Sequence, residues 1–299
     1  MAQIAVLVTA WLVASGQLSH AQQNLAKPLP EIESDALCTP SSAPHQQPPG
    51  PEVSIAGVSF SGALQMAVAD QDQIADSVKH ETHGPSLDGV TNEALERVRA
   101  GWQNRGYFKV QVTGEASTLS SSPNSQRIAL FVHVDEGEQY KLSRITFRNN
   151  KAISNVKALR NLFPIRDGDI FSRERVAKGL ENLRKAYLDF GYINFTSVPD
   201  TTFDDQNGLI SLDIDVDEGK QFHVTSVNVL GLNEPAQQEI LKDFPVGQIY
   251  NARIFGLSLK KHSTLLQFSS DDPRHVKRRM DERAGTVAIT LDAHPCPVD

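Results

Sequence analysis

The chain has 299 residues, of which 39% are hydrophobic, and its formal net charge is −7. This length favours two or three domains over a single core. The acidic balance argues against general nucleic-acid binding, which normally needs a basic face, and gives no reason to expect adhesion to an anionic lipid surface.

The N-terminus has the pattern of an export signal. The run from Ile4 to Val13 is almost wholly apolar, and small residues follow at Ser19 and Ala21. This arrangement predicts a signal peptide over residues 1–21, although Met-Ala-Gln supplies no basic residue before the apolar run. A retained membrane anchor is the alternative, for which the apolar run is short.

A linker rich in Pro, Ser and Gln is predicted over residues 22–51. Two cysteines remain beyond the predicted cleavage site, Cys38 in this linker and Cys296 in a short tail over residues 295–299. An oxidising compartment would allow them one intramolecular disulfide. Two unpaired thiols are the alternative.

The first folded module is predicted over residues 52–138. Its elements in order are a strand over 53–60, a helix over 64–79, a helix capped by Thr91 and ended at Gly106, a strand over 108–113 and a strand over 128–134. The cap rests on the preference of helix N-termini for a side-chain oxygen, and the stop rests on the ease with which glycine adopts a left-handed conformation.

The second module, residues 139–220, carries the clearest strand in the chain. Its elements in order are a strand over 140–147, a helix over 155–163, a helix from Ser172 to Phe190, a strand over 192–198 terminated by Pro199, and a strand over 209–217. In the last of these, apolar residues at 210, 212, 214 and 216 alternate with serine or aspartate. This period of two places the apolar side chains on one face of a sheet.

The third module, residues 221–294, repeats the order less regularly. Its elements are a strand over 222–230, a helix over 234–243, a helix capped by Asn251, a strand over 274–281 and a strand over 287–291. The strand over 274–281 is unusually charged and poorly patterned.

Short sequences recur at nearly constant spacing. Asp135-Glu-Gly137 and Asp217-Glu-Gly219 are offset by 82 residues (217 − 135), and Arg105-Gly-Tyr-Phe108 and Phe190-Gly-Tyr-Ile193 by 85 (190 − 105). Leu162-Phe-Pro-Ile165 and Asp243-Phe-Pro-Val246 are offset by 81 (243 − 162). Several anchors that agree within a few residues indicate a tandem array.

These repeats resemble polypeptide-transport-associated (POTRA) domains, the periplasmic modules of outer-membrane assembly factors of the BamA and TamA type. The resemblance implies an α+β fold, a tandem array of three βααββ modules, each with a three-stranded mixed sheet covered by two helices. It also implies a periplasmic protein of outer-membrane protein assembly or translocation, associated with the membrane only indirectly. The partners implied are unfolded outer-membrane polypeptides, an outer-membrane barrel protein or both, with no cofactor.

Members of this family usually continue from the last such module into a membrane barrel. Here the chain ends at Asp299 without barrel-type alternation, and module three has Asp292-Ala-His-Pro-Cys296 in place of Asp-Glu-Gly. We therefore expect a stand-alone periplasmic protein. The periplasmic part of a truncated or split barrel protein is the alternative.

No catalytic or metal site is predicted, so an enzyme is not expected. His80 and His83 could share a helix face but lack a third ligand, and the carboxylates at 213, 215 and 217 fit a solvated sheet face. A basic cluster over 274–283 fits a lipid or acidic partner, or a charged edge that resists aggregation. A hydrolase or metal-binding protein that uses the histidines is a rival interpretation.

The candidate binding surface is the second strand of module one. We expect this strand to lie at the sheet edge, because the third strand has the regular pattern of a central strand and because Pro199 marks the second strand of module two as an edge. An edge offers unpaired backbone groups to an extended chain. The peptide-binding residues predicted are Phe108, Lys109, Val110, Gln111, Val112 and Thr113. A soluble subunit that docks onto a separate barrel, without contacting clients, is the alternative.

Overall fold

The computed structural model of the protein describes residues 51–268 and 274–294. The predicted signal peptide, nearly all of the predicted linker, both cysteines and the tail lie outside these residues. Within the described ranges, no helix is long and apolar enough to cross a membrane.

The described elements fall into three consecutive groups, which we call modules 1, 2 and 3. Module 1 contains β1 (Glu52–Ser61), α1 (Val68–Glu81), β2 (His83–Gly84), α2 (Leu87–Gln103), β3 (Gln111–Ser121) and β4 (Ser125–Asp135). Module 2 contains β5 (Lys141–Arg148), α3 (Val156–Arg160), α4 (Arg173–Asp189), β6 (Thr196–Asp204) and β7 (Leu209–Asp217). Module 3 contains β8 (His223–Leu230), α5 (Glu234–Leu241), α6 (Ala252–Lys261), α7 (Ser263–Leu266), β9 (Val276–Asp281) and β10 (Thr286–Asp292).

Each module has its own mixed sheet with the last strand in the centre. The strand orders are β2-β1-β4-β3, β5-β7-β6 and β8-β10-β9. The central strands are β4, β7 and β10. Each runs parallel to one neighbour, which is β1, β5 or β8, and antiparallel to the other, which is β3, β6 or β9. The predicted α+β fold of three repeated modules is confirmed. The two-residue strand β2, which the sequence did not predict, makes the first sheet four-stranded.

Each sheet packs its helices over a separate hydrophobic core. On β7, the alternation seen in the sequence places Ile210, Leu212, Ile214 and Val216 in the core of module 2. The equivalent central strands β4 and β10 bury apolar residues at every second position in the same way. The period-two pattern thus identifies the central strand of each module.

The second helix of each module begins at a polar N-cap. The side chains of Ser86, Ser172 and Asn251 each accept a hydrogen bond from the backbone N–H three residues later. The prediction that Thr91 caps α2 is wrong, because the helix already begins at Leu87 and the Thr91 hydroxyl donates to the Leu87 carbonyl. A hydroxyl inside a helix commonly satisfies itself in this way.

Strands β3 and β6 begin later than predicted. The preceding residues, 106–110 and 191–195, form matching turns. In these turns the Tyr107 N–H donates to the Trp102 carbonyl, and the Tyr192 N–H donates to the Tyr187 carbonyl. Strand β6 also continues through Pro199, which pairs with Ile214, so the predicted termination at this proline is wrong. Proline is tolerated there because β6 is an edge strand.

Candidate functional site

Strand β3 is the longest open edge among the three modules. It has 11 residues and pairs only with β4 in the described part of the chain. Gln111 and Thr113 are exposed, whereas Val112 between them is buried in the core of module 1. These three predicted binding residues therefore lie on an edge strand whose outer backbone groups are available for pairing.

The other three predicted residues belong to the turn that precedes β3. Val110 is buried in the core of module 1, whereas Phe108 packs edge-on against Phe171 of module 2 with ring centroids 5.2 Å apart. The Lys109 ammonium group lies 2.8 Å from Asp205 of module 2. The side chains of Phe108 and Lys109 therefore join the two modules.

Gly106 brings the two modules into backbone contact. Its carbonyl accepts a hydrogen bond of 2.9 Å from the Tyr140 N–H, and the Gln139 side chain donates to the neighbouring Arg105 carbonyl. Gly106 has a φ of 93°, and a Cβ placed there would approach Ile170 to 2.8 Å and the Tyr140 carbonyl oxygen to 2.9 Å. Both the turn and the close approach therefore require glycine.

A polar triad and an aromatic cluster surround this first junction. Asp205 accepts hydrogen bonds from Lys109 and, at 2.5 Å, from the Tyr140 hydroxyl. The Lys109 Nζ also lies 4.4 Å from the centroid of the Phe203 ring, a cation–π arrangement. Phe108 packs against the same Phe203 ring, with centroids 5.4 Å apart. Charge and ring contacts thus restrain the same pair of modules.

Hydrogen bonds within the triad shift the pKa values of Lys109 and Asp205 in the directions that keep both groups charged. The hydrogen bond to Asp205 raises the pKa of Lys109, and the same bond lowers the pKa of Asp205. Burial, followed by the bond that it donates to Asp205, raises the pKa of the Tyr140 hydroxyl. Lys109 and Asp205 therefore stay charged, and Tyr140 neutral, across the ordinary physiological range.

The second junction repeats the backbone contacts with other side chains. The Gly191 carbonyl accepts from the Phe222 N–H at 2.9 Å, and the Gln221 side chain donates to the Phe190 carbonyl. At the position that matches Lys109, Asn194 donates to Glu282 at 3.0 Å. A neutral amide thus replaces the ammonium group.

One groove lies beside each junction, and the two grooves differ in the polarity of their lining residues. The groove beside the first junction is lined by Arg105, Asp169 and Arg175, together with other polar residues. The equivalent groove beside the second junction is lined by Phe190, Ile249 and Ile254, all of which are exposed. Two grooves on the same backbone framework therefore present different chemistry to a partner.

The repeated Asp-Glu-Gly holds its module together as well as leading to the next one. Buried Glu136 accepts hydrogen bonds from the Trp102 indole N–H at 2.8 Å and from the backbone N–H groups of Gln65 and Met66. In the same role, Glu218 accepts from the Tyr187 hydroxyl and from the Ala152 N–H. The recurrence of Asp-Glu-Gly in the sequence does not by itself indicate these hydrogen bonds.

Burial raises the pKa of the Tyr187 hydroxyl, and its bond to Glu218 adds to this shift. The phenol is therefore held neutral as the hydrogen-bond donor to the glutamate.

Module 3 has lost both members of this polar pair. Leu266 stands fifteen residues after the helix N-cap (266 − 251), as Tyr187 does in module 2 (187 − 172), and Ala293 follows Asp292 where glutamate follows aspartate in the other modules. Both residues pack in or against the core of module 3. The matching aromatic donors before Gly106 and Gly191 were the signal in the sequence that could have revealed the pairing.

The histidines considered in the sequence are on the surface. His80 lies at the exposed end of α1, and His83 is exposed on β2. Over residues 51–268 and 274–294, no group of three or more His, Cys, Asp or Glu side chains could hold a metal ion.

Comparison with known proteins shows which family this chain resembles. The model of the POTRA family, described as a surface antigen variable number repeat, matches residues 140–219. The outer membrane protein assembly factor BamA of Buchnera aphidicola is 22% identical over 172 residues, covering 56% of this chain and 27% of the relative. A putative outer membrane protein assembly factor of Treponema pallidum is 27% identical over 191 residues, covering 61% of this chain and 23% of the relative. The chain thus spans about a quarter of the length of these relatives.

A solved structure extends the similarity beyond the middle module. The crystal structure of POTRA domains 3–5 of Haemophilus influenzae BamA superposes with a TM-score of 0.59 and 19% identity, covering 81% of this chain and 96% of that structure. At this identity the match concerns the fold. Residues 140–219 therefore match the POTRA family model, and the 81% of the chain that superposes has the fold of consecutive POTRA domains.

Proposed function

We propose that this protein is a periplasmic, non-enzymatic scaffold that binds polypeptides during outer-membrane protein assembly or translocation. The open edge of β3 carries this proposal, because its 11 residues contain no proline and pair on one side only. An extended client segment would bind there as an additional strand. Main-chain hydrogen bonds would supply most of the affinity and would tolerate many sequences.

Two features support this role over that of an enzyme. The relatives are named as outer-membrane assembly factors, and the modules have the POTRA fold. Unfolded outer-membrane polypeptides are the clients we propose, with residues Gln111, Val112 and Thr113 at the start of the binding edge. Lys109 and Phe108 would act indirectly, because they fix the turn from which β3 emerges.

Proline substitution tests strand addition at this edge. Adjacent residues of a strand direct their N–H groups to opposite sides, so one of Glu115→Pro and Ala116→Pro removes an outward N–H and the other removes a bond to β4. The variant that keeps the wild-type melting temperature is then titrated with a labelled ten-residue peptide of alternating apolar and polar residues, followed by fluorescence anisotropy. We expect binding to weaken at least tenfold.

A matched gain-of-function variant completes this test. Pro199 interrupts the N–H row of β6, so Pro199→Thr should open that edge and add binding capacity for the same peptide. Unchanged affinity in both the stable proline variant of β3 and Pro199→Thr would reject strand addition.

A separate outer-membrane barrel protein is the second partner class that we propose. The names of the longer relatives, which are outer membrane assembly factors, support it. Crosslinking in intact cells followed by mass spectrometry distinguishes the two classes, because a docking subunit would yield one dominant membrane partner and a client-binding scaffold would yield many.

A further inference from the structure

Strand β9 is one of the two edge strands of the module 3 sheet, and it occupies the position that β3 and β6 occupy in theirs. It pairs along its length with β10, from Val276 opposite Leu291 to Asp281 opposite Thr286, and with no other strand in the part of the chain that the structure describes. Its outer backbone groups are therefore available in the same way as those of β3 and β6.

Three consecutive basic residues occupy this edge. Lys277 and Arg279 lie opposite Thr290 and Ala288, on the face of the sheet away from the helices. Arg278 lies on the other face, with its guanidinium carbon 5.3 Å from the centroid of the Phe255 ring. All three side chains are exposed, so an added strand would meet positive charge on both of its faces.

The three equivalent edges of the protein differ in charge. Strand β3 contains one acidic residue and no basic one, and β6 contains Asp200 and Asp204 and no basic one. Strand β9 contains three basic residues and one acidic residue, within a chain whose formal net charge is −7. Within residues 51–268 and 274–294, none of the three basic side chains of β9 takes part in an ion pair.

Protection against aggregation does not require positive charge at this edge. Charged side chains, lysine especially, and proline all blunt an edge, and the equivalent strand β6 carries Asp200 and Pro199 instead. Positive charge selects in addition for an anionic partner, because opposite charges across an interface favour the correct encounter and like charges exclude wrong partners. An unpaired strand backbone favours an extended polypeptide over a flat lipid surface, since the latter cannot satisfy a row of N–H and C=O groups.

We propose that the β9 edge binds an extended acidic segment of a partner protein as a fourth strand of the module 3 sheet. Carboxylates at alternate positions of the segment would lie beside Lys277 and Arg279, and a carboxylate on the opposite face would lie beside Arg278. This inference rests on the proposed strand addition, and it assigns module 3 a different class of partner from the clients at β3.

The test compares two fluorescently labelled ten-residue peptides. In the Glu peptide, Glu alternates with Val, and in the Gln peptide, Gln alternates with Val. With the full chain at low ionic strength, we expect the Glu peptide to bind at least tenfold more tightly than the Gln peptide. Lys277→Glu combined with Arg279→Glu should remove this preference. The control, Lys151→Glu combined with Lys157→Glu, makes the same change in net charge on exposed positions of module 2 and should leave the preference intact.

Two further measurements make the outcome decisive. Methylation of all the peptide's backbone nitrogens, which blocks both edges of the peptide strand, should abolish binding if the peptide pairs with β9, and should leave it unchanged if charge alone acts. Equal loss of binding in the control variant, binding of the methylated peptide, or binding of phosphatidylglycerol vesicles in preference to the Glu peptide would each overturn the proposal.

The proline variant of β3 separates this inference from the general proposal. It should not affect binding of the Glu peptide, because β3 and β9 belong to different sheets. Failure at β3 with retained binding at β9 would refute the client edge alone, and the reverse result would refute the acidic site alone.

Discussion

The two junctions of the protein share a backbone arrangement and differ in their side chains. At both, a glycine carbonyl in a turn accepts a hydrogen bond of 2.9 Å from the first residues of the next module. The first junction adds the ion pair of Lys109 and Asp205 at 2.8 Å and a ring cluster around Phe203. The second adds the amide contact of Asn194 with Glu282 and a longer ion pair, of 3.8 Å, between Arg253 and Asp189.

This comparison distinguishes the backbone contacts that position the modules from the side-chain contacts that limit their relative movement. The glycine turn and the carbonyl contact recur, so they account for the existence of a junction and its approximate geometry. The side chains vary, so they set how tightly neighbouring modules are held. We therefore expect modules 1 and 2 to move together and module 3 to vary more in its angle to them.

Removal of the glycine turn should have the largest effect. Gly106→Ala places a Cβ 2.8 Å from Ile170 and 2.9 Å from the Tyr140 carbonyl oxygen, at a φ of 93°. We expect a loss of about 2–4 kcal/mol in the free energy of unfolding of module 1, from backbone strain together with overpacking. Urea denaturation followed by Trp102 fluorescence measures it, because Trp102 is fully buried in this module.

Gly137→Ala is the matched control for strain without a clash. Gly137 has a φ of 65°, and a Cβ added there meets nothing within 4 Å. It should cost only about 1–2 kcal/mol, the backbone term alone. Equal losses in the two variants would show that the close approach between modules contributes nothing to stability.

Neutralising the ion pair should loosen the first junction without unfolding either module. Lys109→Met removes the cation that lies over the Phe203 ring, and Asp205→Asn removes the carboxylate that accepts the bond from Tyr140. We expect a broader distance distribution between spin labels on modules 1 and 2, measured by double electron–electron resonance. Labels at Glu115→Cys and Lys157→Cys, with the two native cysteines replaced by serine, report this distance, and an unchanged width would contradict the restraint.

The same measurement has a predictable dependence on pH. The pKa of Asp205 is lowered in the folded protein, so its contribution is present above the unfolded value and is lost as the pH falls through the folded value. The pKa of Lys109 is raised, so its contribution is complete below the unfolded value and is lost as the pH rises through the folded value. The distribution should therefore stay narrow across neutral pH and broaden only at the acidic and strongly basic extremes.

Much of this fold could be predicted from local patterns. The alternation at Ile210, Leu212 and Ile214 identified the central strand of module 2, and Gly106, predicted to end a helix, lies in the turn that follows α2. These signals are local because a strand buries every second residue whatever lies beyond it.

The junction residues could not be placed in the same way. Phe108-Lys-Val-Gln-Val-Thr113 alternates whether its first residues belong to a strand or to a turn, and only contact with module 2 decides between them. Lys109 and Asp205 are 96 residues apart in the chain, so no local pattern links them. Glu136 accepts a bond from Trp102 of another element, so the recurrence of Asp-Glu-Gly alone could not predict this contact.

The smallest expected effect comes from transferring the first junction's charge to the second. Asn194 occupies the position of Lys109 and already contacts Glu282, so Asn194→Lys should form an ion pair across the second junction. Because such an exposed pair is screened by salt, we expect a slightly narrower distance distribution between modules 2 and 3 at low ionic strength and no change in 1 M salt. Asn194→Gln, which keeps the amide, is the control. Narrowing that persists in 1 M salt would show that packing of the longer side chain, rather than its charge, restrains the second junction.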